Sequence, residues 1–328
     1  MKTLHTKSPC CRGKTYRFGN RRRQCVVCGK TWRIRQKKKG RKRHRVHREL
    51  LRRVLVERRT LVQEMRKNYP SLADLRYRFR NSLEWIAGQP RDYCFCSDQL
   101  VLLADGLWFR FKREDWVLYL MAVKPLDDNK ATLLDTVLLA GKESYENWDT
   151  AISTIPDEVK EHIVAFVSDN FRASKRLAHK HHWIHQLCHF HLIAQLQIRR
   201  GKRKSVIQGR NTREEIYQNI RKALEASNEQ YLKVLQSCLK KLSNSSDCPR
   251  KLQMMVNEFL RSIDLYRAYL LYPELNLPTT TNAIESTGKI IRRSTRNISS
   301  PKSLYLWAKA TIRLRPEITC NGRNFQPN

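Results

Sequence analysis

Two short apolar runs, "LVLLADG" (residues 100–106) and "IVAFVSDN" (163–170), are the starting point for predicting the fold of this chain. Each run has the length and the continuous apolar character of a buried strand, and each reaches an acid, Asp105 or Asp169, at its polar end. Carboxylates at the ends of neighbouring strands can share divalent ions in a shallow cleft. A single aspartate at a strand end is more often a turn or helix cap, so each acid alone is weak evidence.

The segments around these two runs predict a mixed sheet. Three successive strands with tight connections are followed by helix, strand, helix and strand, over residues 100–105, 116–123, 131–140, 144–155, 163–170, 171–182 and 183–188. This order predicts an α/β protein with a mixed sheet of about five strands. Residues 196–275 have helical periodicity without a convincing strand, and a long helical run from Asn282 onward is the predicted last element.

The charge of the chain predicts its partner. Lys and Arg number 65 against 30 acids, a formal net charge of +35, and residues 1–60 hold 23 of these cations with two acids. Each phosphate neutralised by a protein cation releases counterions, so nucleic acid is the expected partner; a merely soluble basic protein is the weaker alternative. No secretory signal and no long uncharged apolar run occur, which predicts an intracellular protein without a membrane partner and with reduced cysteines.

The N-terminal segment, residues 1–40, predicts a basic zinc-ribbon-like unit. Cys25 and Cys28, followed by Gly29, form a knuckle that aims two thiolates at one ion. The upstream half departs from the usual Cys-x-x-Cys, because Ser8 stands where the first ligand belongs. A metal-free basic β-hairpin therefore remains an alternative. The candidate zinc ligands are Cys10, Cys11, Cys25 and Cys28, with His5 as a further one.

Residues 41–95 predict a helical DNA-binding domain. Apolar residues recur at helical spacing from Leu50 until Pro70, and Ser71 is placed to cap a second helix. The second helix carries Arg76, Arg78 and Arg80 away from its apolar stripe. Two short helices joined by a Pro-containing turn suggest a helix-turn-helix, with two ordinary surface helices as an equal alternative.

The order of these motifs resembles a known family. "LVLLADG", "VAFVSDN", Cys188-His-Phe-His191, a wholly helical stretch and "TNAIES" follow one another as in the DDE transposases of bacterial insertion sequences, in the Mutator-like group. The basic zinc-ribbon-like start is also similar to such transposases. The resemblance covers essentially residues 5–315. It implies a ribonuclease H-like fold with an all-helical insertion, in which Asp105, Asp169 and Glu285 bind Mg²⁺ or Mn²⁺.

The resemblance also implies activity, partners and domain organisation. The enzyme would nick double-stranded DNA at the ends of its element and join the freed hydroxyl to target DNA, as at least a dimer in the bacterial cytoplasm at the nucleoid. Arg292, Arg293 and Arg296 would contact DNA from the helix that carries the catalytic glutamate. The implied domains are a ribbon-like segment, a helical DNA-binding domain, a catalytic domain in two parts and an insertion between them, at 1–40, 41–95, 96–195 with 276–328, and 196–275.

Two other functions remain open at this stage. One is a DNA-binding regulator without catalysis, such as a domesticated transposase, and the other is a ribonuclease H-like nuclease that cuts without joining. The three retained carboxylates speak against the first, and the helical insertion with the basic N-terminus speaks against the second. Four other acids compete for the metal and are rejected because none ends an apolar strand or lies in a comparable motif: Asp98, Asp115, Glu258 and Glu274.

The stretch "HKHHWIHQLCHFH" (179–191) holds six of the ten histidines and suggests a metal site. Only Cys188 and His191 have the spacing of the family motif, and a closed zinc site needs four ligands. Cys94 and Cys96 are rejected as the missing two, because alternate side chains on an extended segment point to opposite faces. The prediction is a structural clip between the strand ending at Cys188 and the loop carrying Asp169, with the remaining histidines touching phosphate or solvent.

Overall fold

The chain divides into two compact units, residues 1–46 and 47–328, in a computed structural model. The structure describes residues 7–8, 10–19, 22–33, 47–57, 59–68, 71–95, 97–201 and 207–320. His5, Pro70 and Cys96 lie outside these ranges. Each unit has secondary structure of its own.

The first unit contains a three-stranded antiparallel sheet. Its strands are β1 (Thr15–Arg17), β2 (Arg22–Cys25) and β3 (Thr31–Arg33), paired in that order. Between β2 and β3 the chain turns tightly: Gly29 adopts a φ of 66°, and its N–H donates to the carbonyl of Cys25 at 3.1 Å. A side chain is unfavourable at such a φ, which explains a glycine after Cys28. The arrangement is compatible with the predicted zinc-ribbon-like segment.

The second unit begins with three helices, α1 (Arg48–Leu55), α2 (Leu61–Asn68) and α3 (Leu72–Gly88). The prediction of one continuous helix before Pro70 is wrong, because a reciprocal cap starts a new helix at residue 61. The Thr60 N–H donates to Gln63 Oε1 at 2.8 Å, and the Gln63 N–H donates to Thr60 Oγ1 at 3.2 Å. Ser71 caps α3 as predicted, accepting from the Asp74 N–H at 3.1 Å.

A mixed seven-stranded sheet forms the centre of this unit. Its order is β10–β6–β5–β4–β8–β9, with β7 also paired to β5. The pairs β4–β8 and β8–β9 are parallel, and all others are antiparallel. The strands are β4 (Leu100–Phe111), β5 (Glu114–Pro125), β6 (Lys130–Leu133), β7 (Val137–Ala140), β8 (Ile163–Ser168), β9 (Ile184–Leu187) and β10 (Glu317–Thr319).

The sheet confirms the mixed α/β class, but its strand count differs from the prediction of about five. The run 131–140 is two strands, because residues 134–136 interrupt the pairing with β5 between β6 and β7. There the Thr136 hydroxyl donates to the Tyr119 carbonyl at 2.7 Å, and Asp135 turns away to an ion pair with Arg313 at 2.6 Å. The three-residue β10 is too short to stand out in the sequence and is held by antiparallel pairing with β6.

Helices cover both faces of the sheet, and further helices follow β9 along the chain. One face packs against α4–α6 and the other against α13 and α14, each around a buried apolar cluster. The described residues within 196–275 are mainly helical, as their periodicity predicts, and together with Leu187, Leu192 and Ile193 they form a third apolar cluster. The helices are α4 (Tyr145–Ser153), α5 (Asp157–Lys160), α6 (Ser174–Lys180), α7 (His189–Arg200), α8 (Arg210–Glu225), α9 (Glu229–Ser243), α10 (Arg250–Arg261), α11 (Ile263–Tyr266), α12 (Ala268–Leu271), α13 (Asn282–Ser294) and α14 (Pro301–Leu314).

The predicted single helical run from Asn282 onward is wrong, since it contains two helices and is followed by β10. The Ser300 side chain accepts from the Ser303 N–H at 3.3 Å, and Pro301 occupies the first turn of α14. A capping serine followed by proline starts a new helix. Among the described residues, no helix combines the length and the apolar character needed to cross a membrane.

Candidate functional site

Asp105 lies inside β4, and the prediction that its strand ends there is wrong. β4 continues to Phe111, because residues 106–111 pair with β5. The parallel pairing with β8 stops at Leu103 and Val167, so Asp105 lies two residues beyond the last paired position of these two strands. Only 7% of its surface is exposed. The carboxylate is therefore held on a rigid strand at the point where the two strands separate.

Asp169 directly follows β8 and also lies two residues beyond the last β4–β8 pair. The strands are neighbours and run in the same direction, so the two aspartates lie at the same edge of the β4–β8 pair. The Oδ1 atom of Asp169 is buried and has no hydrogen-bond partner in the described part of the chain. A buried carboxylate oxygen without a donor is costly unless a proton or a cation reaches it.

Glu285 lies in the first turn of α13, the helix that packs across β4. A Cβ atom at Gly288 would come within 2.9 Å of the Leu107 side chain, so the absence of a side chain lets the helix approach the strand closely. The Glu285 N–H donates to the Thr281 carbonyl at 3.0 Å. The Thr281 hydroxyl reaches Glu285 Oε1 at 3.5 Å. The start of the helix thereby aims this carboxylate toward the edge with the two aspartates.

The three acids influence one another electrostatically. Burial, with the charges of Asp169 and Glu285, raises the pKa of Asp105 to about 7, although the charge of His191 acts in the opposite direction. Burial also raises the pKa of Asp169 and of Glu285. Mutual repulsion of buried carboxylates disfavours their charged forms, and a divalent cation would relieve it. The residues therefore suit a hard cation with oxygen ligands, such as Mg²⁺ or Mn²⁺.

These carboxylates are a looser group than the tightest clusters of the molecule. Among the described residues, two sets of metal-ligating atoms lie within 4.8 Å of one another: the four cysteines of the first unit, and Cys188, His191 and Glu285. In a two-metal site the two ions are themselves about 3.5–4 Å apart. Acids placed around both ions therefore lie farther from one another than ligands that surround a single ion. Looser spacing is consistent with carboxylates that share two ions.

Cys188 and His191 connect three elements at this site. The Cys188 N–H donates to the Ser168 carbonyl at 2.8 Å, and the Cys188 Sγ accepts from both the N–H and the hydroxyl of Thr281, each at 3.3 Å. The His191 Nε2 lies 3.8 Å from Glu285 Oε1. The pair thus joins the end of β8, the start of α7 and the segment before α13.

His191 carries positive charge beside the acids. Burial opposes that charge, but Cys188, Asp169 and Glu285 outweigh it and raise the pKa of His191 to about 9. A cation at this position partly balances the three carboxylates. With Cys188 and Glu285 it supplies three ligands, one fewer than a closed zinc site requires. That this cluster is a structural clip without zinc stays a prediction.

The expectation that all the other histidines touch phosphate or solvent is wrong for two of them. His185 and His189 are 6% and 7% exposed. His185 Nε2 lies 3.1 Å from the Ser168 hydroxyl, and His189 Nε2 lies 2.6 Å from the Tyr266 carbonyl. Burial lowers the pKa of each to about 4, so both are neutral core residues. His185 thereby contacts the residue before Asp169, and His189 joins α7 to the end of α11.

The arginines expected to bind DNA are exposed, but several already have partners. Arg78 pairs with Asp74 at 2.7 Å and Arg80 with Glu84 at 3.0 Å, both on their own helix. Arg292 donates to the Trp108 carbonyl at 3.3 Å and lies over the Phe109 ring. No ion pair of the described residues involves the other three predicted contacts, which are Arg76, Arg293 and Arg296.

The four cysteines of the first unit form the tightest cluster. Cys10 Sγ lies 3.1 Å from Cys28 Sγ, and Cys11 Sγ lies 3.2 Å from Cys25 Sγ. Four thiolates around a tetrahedral zinc ion are about 3.8 Å apart, given a Zn–S distance of about 2.3 Å. Ser8 is not a ligand; its hydroxyl lies 2.7 Å from Cys10 Sγ. The adjacent Cys10 and Cys11 thus compensate for the missing cysteine, and the four could hold a structural metal such as zinc.

Hydrogen bonds give the thiols of this cluster different pKa values. The Cys28 backbone N–H lowers the pKa of Cys25 to about 6, whereas the Cys10 side chain raises the pKa of Cys28 to about 12. The Cys25 thiol therefore ionises at neutral pH and the Cys28 thiol does not, so a cation would be needed to make thiolates of all four.

A fourth acid near the site, Glu143, escaped the sequence analysis. Its Oε1 accepts from Trp148 Nε1 at 2.7 Å, and Trp108 also donates to it. A Cβ atom at Gly106 would lie 2.8 Å from this oxygen, so the residue after Asp105 has to be small. Burial, with the charge of Asp169, raises the pKa of Glu143. Glu143 precedes α4 in a loop, and no strand end or motif marks it in the sequence.

Neither a scan against protein-family models nor a search of curated proteins finds a match for this chain. The class of protein therefore has to be inferred from the residues and their placement.

Proposed function

We propose that this chain is a DDE transposase of the Mutator-like group, which cleaves DNA at the ends of an insertion sequence and joins them to a target in the presence of Mg²⁺ or Mn²⁺. The observation that carries the proposal is the placement of Asp105, Asp169 and Glu285. They come from a strand interior, a strand end and a helix start, yet Asp169 raises the pKa of both other acids and Glu285 raises that of Asp105. Asp169 Oδ1 also has no donor in the described part of the chain.

The architecture around these acids supports a ribonuclease H-like catalytic domain. Four antiparallel strands, β4 to β7, lead into the parallel strands β8 and β9, and the first aspartate lies on β4 next to β8. The helical insertion separates β9 and α7 from the helix with Glu285. The order of strands, helical stretch and final helix with a glutamate is that of the family which the sequence resembles.

The chain's own residues would bind and orient the ions and the DNA. Bound at Asp105, Asp169 and Glu285, two metal ions would activate a water or a DNA 3′-hydroxyl and stabilise the leaving oxygen. His191 supplies positive charge next to Glu285, and Cys188 holds the start of α13 through Thr281. The strand that carries Asp105 and the Thr281–Cys188 contacts before α13 would fix the acids before a cation arrives, which favours catalysis by pre-organisation.

The basic first unit and the three helices that follow would hold double-stranded DNA. Residues 1–60 carry most of the net charge, and the cysteine cluster would stabilise the first unit when zinc is bound. Phosphate contacts from this region would position the catalytic unit without reading sequence. Two element ends must be cut and joined, so at least a dimer is part of the proposal.

One assay separates the transposase from its two rivals. Full-length protein is incubated with Mg²⁺ and end-labelled duplexes taken from the DNA on either side of its own coding sequence, together with a target plasmid. Nicked and joined products support a transposase, and nicks without joining indicate a nuclease. Retarded but uncut DNA indicates a binding protein, and the transposase proposal then fails. Asp98→Asn, which changes an exposed acid, is the matched control for Asp169→Asn.

A further inference from the structure

A cleft of about 380 Å³ leads from Asp169 to the helical insertion. His191 and Arg199 line it from α7, and Lys251, Met254 and Glu258 line it from α10. Residues three or four positions apart share one face of a helix. The lining residues of α7 and of α10 follow this spacing, so each helix presents a single face to the cleft. The volume is in the range of sites that bind small ligands, about 300–1,000 Å³. The insertion therefore forms one wall of the space next to the acids.

The charge of this wall is positive after its ion pairs are considered. Glu258 is paired with Lys175 at 3.3 Å and with Arg261 at 2.8 Å. Arg199 and Lys251 have no ion-pair partner in the described ranges 47–57, 59–68, 71–95, 97–201 and 207–320. Arg199 donates only to the Gln195 carbonyl at 3.0 Å, and its Nε is buried without a partner there. Two cations that folding does not neutralise are thus directed at the cleft.

An exposed apolar side chain completes the wall. Met254 is 63% exposed, although it lies on the same helix as the buried Val256 and Phe259. Its exposure keeps a flexible thioether on the surface of the cleft next to the two cations. Proteins that distort DNA use such apolar side chains against bases, with Lys and Arg on the phosphates. Unpaired cations beside an apolar side chain match the chemistry of a polynucleotide.

We propose that the insertion holds the DNA strand adjoining the scissile phosphate in this cleft, with Arg199 and Lys251 on its phosphates and Met254 against a base or sugar. The inference rests on the proposed function, because the scissile phosphate is placed by the three acids. The cleft begins at Asp169, so a strand bound at the acids continues into it without a gap. The insertion then acts as a clamp on the substrate and is more than a structural addition.

The test measures the coupling between these side chains and single phosphates. Full-length wild type, Arg199→Ala, Lys251→Ala and the control Lys233→Ala are titrated with duplexes from the DNA flanking the coding sequence, in Ca²⁺ to prevent cleavage. Lys233 lies on α9 of the same insertion, is exposed and pairs with Glu229. In each duplex, one phosphate is replaced by a neutral methylphosphonate.

For wild type and Lys233→Ala we expect one or two neutralised phosphates to weaken binding roughly tenfold, the effect of one charged hydrogen bond. In the variant that lacks the contacting cation, Arg199→Ala or Lys251→Ala, the same phosphate replacement should not weaken DNA binding any further. Met254→Ala should weaken binding several-fold, and Met254→Leu should restore it. Circular dichroism melting checks that each variant folds.

The outcomes separate this inference from the proposed function. If every phosphate replacement weakens DNA binding by the variants as much as by wild type, the cleft does not hold the strand. This conclusion is independent of whether wild type cleaves DNA in Mg²⁺. If the coupling is present but Mg²⁺ produces no cleavage, the clamp stands and the transposase proposal fails. If the wild type binds no duplex, both the clamp and the transposase proposal fail. A protein partner would then be the occupant of the cleft to test.

Discussion

The cysteine cluster of the first unit and the acid cluster of the second are built in opposite ways. Cys10 and Cys28 are only 18 residues apart, three of the four cysteines are exposed, and their sulfur atoms already lie at distances close to those around a zinc ion. Asp105, Asp169 and Glu285 are far apart in sequence, mostly buried and mutually repelling. A local knuckle of soft ligands could hold one structural ion, whereas carboxylates brought together by a sheet would leave room for ions and substrate in the proposed site.

We therefore expect the cysteine cluster to contribute to stability and the acid cluster to contribute to catalysis. A closed set of thiolates contributes folding free energy when it binds metal, and it leaves no position for a substrate. An open set of buried acids costs stability when it is empty, because the charges repel, and that cost is recovered when cations bind. Substitutions in the two regions should therefore affect different measurements.

The largest effect is expected on catalysis. Asp105→Asn, Asp169→Asn and Glu285→Gln should each reduce DNA cleavage by more than about 100-fold, because an amide keeps the shape but loses the charge that holds the cation. DNA binding, measured by gel retardation, should remain close to that of wild type. Wild-type cleavage in any one variant would remove that residue from the site.

Zinc removal should act on the other region. We expect about one zinc ion per chain by atomic absorption, and Cys25→Ser or Cys28→Ser should release it, together with most of the salt-dependent DNA affinity. If the first unit and its neighbouring helices contact six phosphates, the log–log salt slope is roughly −5 in wild type. Cys238→Ser in the insertion is the control and should retain zinc. A metal-free wild type with full DNA affinity would show that the cysteines need no ion.

Stability of the metal-free protein should depend on pH through Asp105. The folded pKa is about 7, above an unfolded value of about 4, so this contribution is present below pH 4 and is lost as pH rises toward 7. The loss amounts to at most about 4 kcal/mol. His185 and His189 act in the opposite direction, so the measurement is the difference between wild type and Asp105→Asn in urea unfolding from pH 4 to 8. An unchanged difference across this range would contradict a buried, repelled carboxylate.

The smallest effect is expected at Cys188. Cys188→Ala removes the acceptor for both Thr281 donors and should lower the free energy of unfolding by about 1–3 kcal/mol and reduce cleavage, with zinc per chain unchanged. His191→Ala should also leave zinc unchanged. Loss of one zinc equivalent from either variant would make this cluster a metal site and remove the contrast between the two regions.

Much of the fold could be predicted from local patterns. Continuous apolar runs mark β4 and β8, Ser71 marks the start of α3, and the insertion is helical as its periodicity indicates. Other features had no local signal. The split between β6 and β7 depends on Thr136 binding a carbonyl of β5, and β10 exists only through its pairing with β6.

The amino-acid order was sufficient for the mixed α/β class and the four cysteines, because strand burial and thiolate spacing depend on neighbouring residues. The three acids were singled out by an order of motifs that resembles a known family, and their role stays a prediction. The amino-acid order was insufficient for anything that needs contact between distant segments. Folding alone placed Glu143 beside the aspartates, joined Cys188 to Thr281, buried His185 and His189, and set Arg199 and Lys251 along the cleft. The physical reason is that these relations depend on how the sheet and helices pack, and no local pattern encodes the distances between their side chains.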